Sequence, residues 1–278
     1  MTEPNRQSGE NEERIIEIEI ERLRPFKEHP FQVKDDKEMF LLQESIEKYG
    51  ILNLLIVRPV PDGYYEIISG HRRKHAAEKL GYRKVPVIIR VLSEDDSILS
   101  MVDSNLHRER ISYSEKAFAY KLKNDVLKRK SGRKKSQVDH KTPRKRAIEI
   151  ISEDCGDSPK QVQRYISLTK LIPEMLQKLD DEIISFCPAV EIAVLEENEQ
   201  RELLKAMDYA QAIPSLSQAQ RIKQLSKEKQ LSLEKMEEIM ELCPDISKVT
   251  VERILTNLVK SGYIAKVGAG LSTGYVRI

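Results

Sequence analysis

The sequence predicts an α+β protein in three parts: a small mixed α/β N-terminal domain, an all-α helix-turn-helix middle domain and a C-terminal winged-helix-like unit. Two observations define the first and last parts. Alternating, β-branched strand patterns are confined to residues 15–91 and 263–278. Between them, from Ser93 to Lys260, strand signals vanish and apolar residues recur at helical spacing. The third observation is a basic stretch, Lys128 to Arg146, set immediately before two short helical patterns that flank a glycine. A hydrophobic fraction of 40% over 278 residues supports real but modest cores, and a charged fraction of 33% points to a helix-rich, charge-laced chain. The net charge of +2 says little, because the charge is unevenly placed.

Residues 1–14 are polar and acidic, with too little apolar content to offset the entropy of ordering, and are expected to be a flexible tail. The N-terminus has no apolar h-region, and no apolar run approaches the roughly 20 residues of a membrane span. A cytoplasmic protein without a membrane partner is the expectation. Cys155, Cys187 and Cys243 are odd in number and lack C-x-x-C spacing, which points to neither a disulfide framework nor a zinc site.

Residues 15–110 form the expected α/β domain. Ile16, Ile18 and Ile20 alternate with Glu17, Glu19 and Glu21 as in a half-buried strand, which Pro25, His29 and Pro30 then break. Asp35 or Asp36 suits the cap of a helix whose stripe is Phe40, Leu41, Leu42, Ile46 and Tyr49, ending at Gly50. Ile51 to Val60 is apolar and β-branched, Pro61-Asp62-Gly63 is a turn, and Tyr64 to Ser69 returns as the second arm of a hairpin. Gly70 then lets the chain turn tightly into a helix that Gly81 ends, and Val85 to Val91 is a further strand with Pro86 near its start.

The stretch from Glu66 to Gly81 carries the most specific chemistry of this domain. A helix that starts at Gly70 directs its unsatisfied N–H groups and the positive end of its dipole at whatever sits before it. Arg72 and Arg73 add fixed positive charge, so the segment has the parts of a phosphate cradle. The same residues also suit an ordinary strand-to-helix turn with a solvated arginine pair. A second polar cluster, Val102 to Arg110, follows the last strand.

Residues 111–229 form the expected helical domain. Ser112 or Ser114 suits the cap of a helix through Ala117, Phe118, Tyr120, Leu122, Val126 and Leu127. It runs into Lys128 to Lys135 and Lys141 to Arg146, with Gly132 and Pro143 expected to break the chain between these blocks. Clustered positive charge is a footprint for polyanions, though such blocks also occur as solvated loops. Thr142 is placed to cap a helix with Ala147, Ile148 and Ile151. Cys155-Gly156-Asp157 turns, and Ser158-Pro159 opens a second helix with Val162, Tyr165, Ile166, Leu168 and Leu171. In a helix-turn-helix the second helix enters the major groove by its N-terminal half. Lys160, Gln161, Gln163 and Arg164 lie there, and Gln and Arg are the side chains that pair bidentately with adenine and guanine edges. Ser158 at the helix start and Arg144 and Lys145 in the basic block complete the candidate DNA-binding set. A plain helical hairpin with a polar outer face is the alternative. From Pro173 to Lys229 amphipathic helices are expected, broken at Pro188 and Pro214.

Residues 230–278 change character again. Leu233, Met236, Ile239 and Met240 make one helix, Cys243-Pro244-Asp245 ends it, and Val249 to Lys260 makes another. Tyr263 to Val267 and Gly274 to Ile278 are short strands around a glycine-rich loop. A winged helix of this kind suits a second DNA contact through Lys248, Thr250, Arg253 and the wing, or a protein-docking module.

In this order, Gly70-His71-Arg72-Arg73, then Asn105-Leu106-His107-Arg108, then a helix-turn-helix, the chain resembles the ParB family of bacterial chromosome and plasmid partition proteins. The resemblance runs from Ile15 to Lys229 and is strongest over Ile51 to Arg58 and Tyr64 to Ala77. It implies a dimeric clamp that loads on double-stranded DNA at a palindromic site, binds CTP with Mg2+ in its α/β domain, and closes around the DNA to slide away. CTP hydrolysis would reopen it, and a ParA-type ATPase would move the bound DNA. The resemblance places the protein with the nucleoid or a plasmid. Carried onto this sequence, Ser69, Gly70, His71, Arg72 and Arg73 would line the triphosphate, Asn105 and Arg108 would complete the pocket, and Gln32 would lie near the nucleotide.

Two departures bear on turnover. The family usually has glutamate at the positions of His71 and Ser104, and those carboxylates are implicated in metal-assisted hydrolysis, because hard oxygen ligands hold the magnesium that bridges phosphates. Asp103 is one residue out of place. The resemblance therefore implies at most weak CTP hydrolysis, with no catalytic residue assigned. The C-terminus departs too, having a winged-helix pattern where the family has a dimerisation domain. A sulfiredoxin-like scaffold is related, but the nucleophilic cysteine of its motif is missing here, and no carboxylate cluster suits a nuclease. The remaining alternative is a transcriptional or plasmid copy-control regulator that uses the α/β domain only for assembly.

Overall fold

The computed structural model describes residues 15–27, 29–31, 33–106, 108, 111–133, 146–241, 255–267 and 274–277. The expectations for the tail, for Gln32, for Thr142, Arg144 and Lys145, for Cys243 to Asp245, and for Lys248, Thr250 and Arg253 lie outside these residues. The chain divides into two compact units, Met1–Thr169 and Lys170–Ile278.

The first unit is built on a five-stranded mixed sheet of β1 (Ile15–Glu19), β2 (Leu23–Arg24), β3 (Leu55–Pro59), β4 (Tyr65–Ser69) and β5 (Lys84–Ile89), in the order β1-β5-β3-β4-β2. β1 with β5 and β3 with β4 are antiparallel, whereas β3 with β5 and β2 with β4 are parallel. The β3–β4 hairpin turns at Asp62 and Gly63, both at positive φ, as the Pro-Asp-Gly sequence requires. Successive residues of a strand face opposite ways, and β4 is covered on both sides. Ile67 packs with Leu55, Val57, Val87 and Ala77 on one face, and Ile68 with Phe26, Phe31, Met101 and Val102 on the other. Full burial of each isoleucine contributes about 1.5–3 kcal/mol. β4 is thus a fixed rail, and its end is where the candidate site begins.

Helices α1 (Lys37–Tyr49) and α2 (His71–Lys79) pack together through Met39, Ile46 and Ala76. Asp36 caps α1 by accepting a hydrogen bond from the Met39 amide at 2.8 Å, and Gly50 ends it at φ 73°. The buried face of α1 differs from the expected stripe: Phe40, Leu41 and Tyr49 are exposed. The side of α1 that meets α2 is set by Met39 and Ile46, which helical spacing alone does not rank above its neighbours. The apolar run Ile51 to Val60 is also only partly strand, because Ile51 to Leu54 form a loop.

On the other face of the sheet lie α3 (Glu94–Leu106) and α4 (Tyr113–Arg133). Ser112 caps α4 with its hydroxyl on the Glu115 amide, and Glu115 accepts from the Ser112 amide in return. α4 continues through Gly132, correcting the expected break. An internal glycine costs a helix only about 1 kcal/mol, and Arg129 and Lys130 of the preceding turn are held by Asp95 and Asp96 of α3. Part of the basic block is therefore neutralised within the fold. α5 (Ala147–Cys155), Gly156 at φ 74°, and α6 (Pro159–Leu168) follow, packing on α4 through Tyr120, Ile151 and Val162.

The second unit holds α7 (Pro173–Asp180), α8 (Phe186–Ile192), α9 (Glu197–Ala210), α10 (Leu216–Lys227) and α11 (Leu233–Glu241), with β6 (Ile264–Val267) paired antiparallel to β7 (Gly274–Arg277). Pro188 does not break a helix; it lies in the first turn of α8, where its missing N–H is unneeded. Buried Gln200 ties the α7–α9 corner together, accepting from the Ile172 amide and donating to the carbonyls of Lys170 and Leu195. Among the described residues no helix is long and apolar enough to cross a membrane.

Candidate functional site

Gly70 joins β4 to α2 at φ 108° and ψ 21°, a conformation that L side chains rarely adopt. A β-carbon there would meet Leu55 Cγ at 2.8 Å. Having no side chain, Gly70 supplies no capping acceptor to α2, and the amides of the first turn are left to an external one. The helix that begins here carries His71, Arg72, Arg73 and Lys74 in that order.

The two arginines diverge. Arg72 reaches α1, where Asp36 lies at 2.8 Å and Glu38 at 3.6 Å. Arg73 donates to the carbonyls of Asn53 and, at 2.7 Å, Leu54, which explains why the loop before β3 leaves the sheet. Arg108, just past the end of α3, lies over the Phe31 ring at 5.6 Å. Burial lowers the pKa of Arg73, and the charge of Arg108 lowers it further. Arg108 is lowered by burial and then by Arg72. Arg73 thus feels the charge of Arg108, and Arg108 that of Arg72, a repulsion that a polyanion would relieve.

His71 is buried, 7% exposed, with its ring 3.7 Å from that of His29, centroid to centroid. Burial lowers its pKa to about 3, with His29, Arg108 and Lys74 acting in the same direction. His29 is lowered too, first by its own burial, and its Nε2 is buried without a hydrogen-bond partner. A cavity of about 170 Å³ adjoins this pair, lined by Pro25, Val33 and the α2 side chains His71, Lys74, His75 and Glu78 among others. A larger depression, about 290 Å³, lies on the second unit beside Glu191 and Lys223, which pair with each other, and holds none of the candidate residues.

Asn105 is 2% exposed. Its Nδ2 donates to the Met101 carbonyl at 2.7 Å, and its Oδ1 is buried with no partner. Ser104 donates to the same carbonyl at 2.9 Å. Ser69 ends β4 opposite Ile56, beside a register shift in the β3–β4 ladder. The fold therefore brings Ser69, Gly70, Arg72 and Arg73 into one neighbourhood with Arg108 and packs His71 beneath them against His29. Sequence patterns missed His29, Phe31 and the acidic partners Asp36 and Glu38. The Pro-flanked His29 to Gln32 segment was the available signal for the first two, and the acidic first turn of α1 for the others.

The donors on offer, the uncapped amides after the Gly70 turn and the guanidinium groups of Arg72, Arg73 and Arg108, fit a polyphosphate. They do not make a protein-held magnesium site: Asp36 and Glu38 are engaged by Arg72, and Asp103 lies 2.6 Å from Lys123. Among the described residues no group of three or more His, Cys, Asp or Glu side chains is placed to hold a metal ion.

On the helix-turn-helix, Ser158 caps α6 by accepting from the Gln161 amide at 3.2 Å. Lys160 and Gln163 are exposed, while Gln161 and Arg164 are half-buried and touch at 3.5 Å. Asp157 in the turn accepts from the Tyr120 hydroxyl at 2.7 Å and pairs with Lys116 at 2.8 Å, which fixes the turn on α4.

These features define a class of protein in which a small sheet domain with a glycine-opened basic helix stands directly before a helix-turn-helix. Residues 4–106 match the family model of the ParB N-terminal domain. It is 35% identical over 136 residues to the nucleoid occlusion protein of Bacillus mycoides strain KBAB4, covering 46% of this chain and 47% of that protein. Nucleoid occlusion proteins of Bacillus cereus strains match equally, and the chain spans 47% of the length of these curated relatives. It is also similar to the C-terminally truncated chromosome-partitioning protein ParB of Caulobacter crescentus complexed to the centromeric parS site (24% identical, TM-score 0.44, 81% of this chain and 98% of that one). The same protein complexed with CTP-γ-S gives 28% identity and a TM-score of 0.32, over 64% of this chain and 91% of that one.

Proposed function

We propose that this chain is a ParB-type DNA-binding protein that holds CTP in its α/β domain and reads a palindromic DNA site with α6, acting in segregation or occlusion of the nucleoid or a plasmid. The observation that carries the nucleotide half is the Gly70 turn, whose φ of 108° opens α2 with an uncapped first turn directly before Arg72 and Arg73. In this reading Ser69, Gly70, Arg72 and Arg73 hold the phosphates, and Asn105, Arg108 and Gln32 close the site. A palindrome calls for a two-fold dimer, and a ParA-type ATPase would be the motor partner. The work would take place in the cytoplasm.

Slow or absent hydrolysis belongs to the same reading. His71 is buried against a second imidazole, Ser104 is bonded to its own helix and Asp103 is held by Lys123, so none supplies a free carboxylate for magnesium. Calorimetric titration is expected to show CTP binding to the intact protein, weakened at least about 100-fold in the Arg72→Ala, Arg73→Ala double variant, since each charge-assisted contact is worth roughly 1.5–3 kcal/mol. Little phosphate release should accompany binding. Rapid turnover stimulated by cognate duplex would overturn the slow-hydrolysis part. Failure to bind CTP, with duplex recognition intact, would favour the transcriptional or copy-control regulator.

The DNA half is tested by selecting duplexes from a random pool. A palindrome should emerge, bound with a log–log salt slope of about −4 or steeper, and Lys160→Ala should make that slope shallower by about 1. Loss of the palindrome without loss of the slope, in Gln163→Ala, would assign Gln163 to base recognition. If no duplex is selected, α6 is not a DNA reader.

A further inference from the structure

Lys123, midway along α4, is among the most buried charged side chains described, 3% exposed, and its ammonium is shared by two carboxylates at 2.6 Å: Asp103 of α3 and Asp154 of α5. Both carboxylates are half exposed, at 50% and 49%. The lysine is therefore the member committed to the interior, and the acids are the members free to change their hydration. Burial works to lower its pKa, but the hydrogen bonds it donates to Asp103 and Asp154 outweigh this and raise it, so the bridge stays charged at neutral pH.

The two ends of the bridge lie in different functional parts. Asp103 stands two residues before Asn105 on the helix whose end delivers Arg108 to the arginine cluster. Asp154 stands in the last turn of the first helix of the helix-turn-helix, next to the Gly156 turn that α4 also holds through Tyr120 and Lys116. A helix that shifts by an ångström or two can retain a lysine bond to one carboxylate and lose the other, so the bridge is sensitive to the relative placement of its helices. α3, α4 and α5 meet at no other described ion pair that joins all three.

We infer that Lys123 is a positioning residue that couples the nucleotide site to the helix-turn-helix, passing movement of α3 through Asp103 and Asp154 to α5. The inference rests on the nucleotide-binding reading above, and the experiment separates the two. Amide hydrogen exchange is measured on the intact protein with and without CTP and Mg2+. In the wild type, CTP is expected to change exchange over residues 147–168 by about fivefold or more, the lower range of ordinary coupling. Lys123→Met and Asp154→Asn should still bind CTP but lose most of that change, and Lys123→Arg, which keeps the charge and its donors, should restore it. A purely structural pin would instead raise basal exchange in the variants and leave the response to CTP intact, which would overturn the coupling role. Absence of any CTP effect on residues 147–168 in a wild type that binds CTP would overturn it equally. A wild type that binds no CTP sinks the nucleotide reading itself. Asp154→Asn alters a half-exposed carboxylate and carries the test if Lys123→Met does not fold.

Discussion

Gly70→Ala is expected to lower the stability of the first unit by about 3 kcal/mol, from the positive φ, worth about 1–3 kcal/mol, and from crowding in the core, worth about as much again. A β-carbon at Gly70 meets Leu55 Cγ at 2.8 Å, and Leu55 is fully buried in the sheet core beside Val57 and Ile67. Leu55 cannot withdraw without opening that core. Gly81 is the matched control: it too has a positive φ, 77°, but a β-carbon there meets nothing within 4 Å. Gly81→Ala should therefore cost only the backbone component, about 1 kcal/mol. Urea unfolding followed by circular dichroism would show the difference as a midpoint about 1 M lower for Gly70→Ala than for Gly81→Ala. Equal midpoints would mean that the close approach to Leu55 does not constrain the turn. Because the same turn aims the first amides of α2, Gly70→Ala should also lose CTP binding under conditions where it remains folded.

Acid sensitivity is the second large effect. The folded-state pKa of His71 is lowered to about 3, chiefly by burial, below its ordinary value of 6.5. Between those values the unfolded chain binds a proton that the folded protein refuses, so stability is complete above pH 6.5 and falls as pH drops, by about 1.4 kcal/mol per unit. His29, also lowered, adds in the same direction. Carboxylates do not confuse the window: Asp36 and Asp96 have lowered pKa values, so they lose their contribution only at more acid pH. Comparing urea midpoints at pH 7.5 and pH 5 should reveal a loss of roughly 2 kcal/mol in the wild type that is much reduced in His71→Gln. Parallel profiles for the two proteins would show that the buried pair does not control acid stability.

The local features of both predictions are legible in the chain itself. Gly70 between an apolar strand and a basic helix, Asp36 before α1, Pro61-Asp62-Gly63 in the hairpin and Ser158-Pro159 before α6 each act on residues within three or four positions. The apolar rows failed where a choice of partner was involved. Phe40 and Leu41 suit a buried stripe as well as Met39 and Ile46 do, and only the docking of α2 decides between them. Gly132 and Pro188 read as breaks because their helix-weakening chemistry is local, while the ion pairs that carry α4 past Gly132 come from α3.

By itself the sequence determined the turns, the caps, the glycine at the cradle and the order of a basic α/β segment before a helix-turn-helix, because those depend on short-range sterics and hydrogen bonding. Only the tertiary structure decided which charges meet. It set Arg108 near Arg72 and Arg73, placed His71 against His29 and gave Lys123 to both Asp103 and Asp154. Those pairings join residues 20 to 42 positions apart, beyond the reach of periodicity, and are selected by how the helices pack on the two faces of β4.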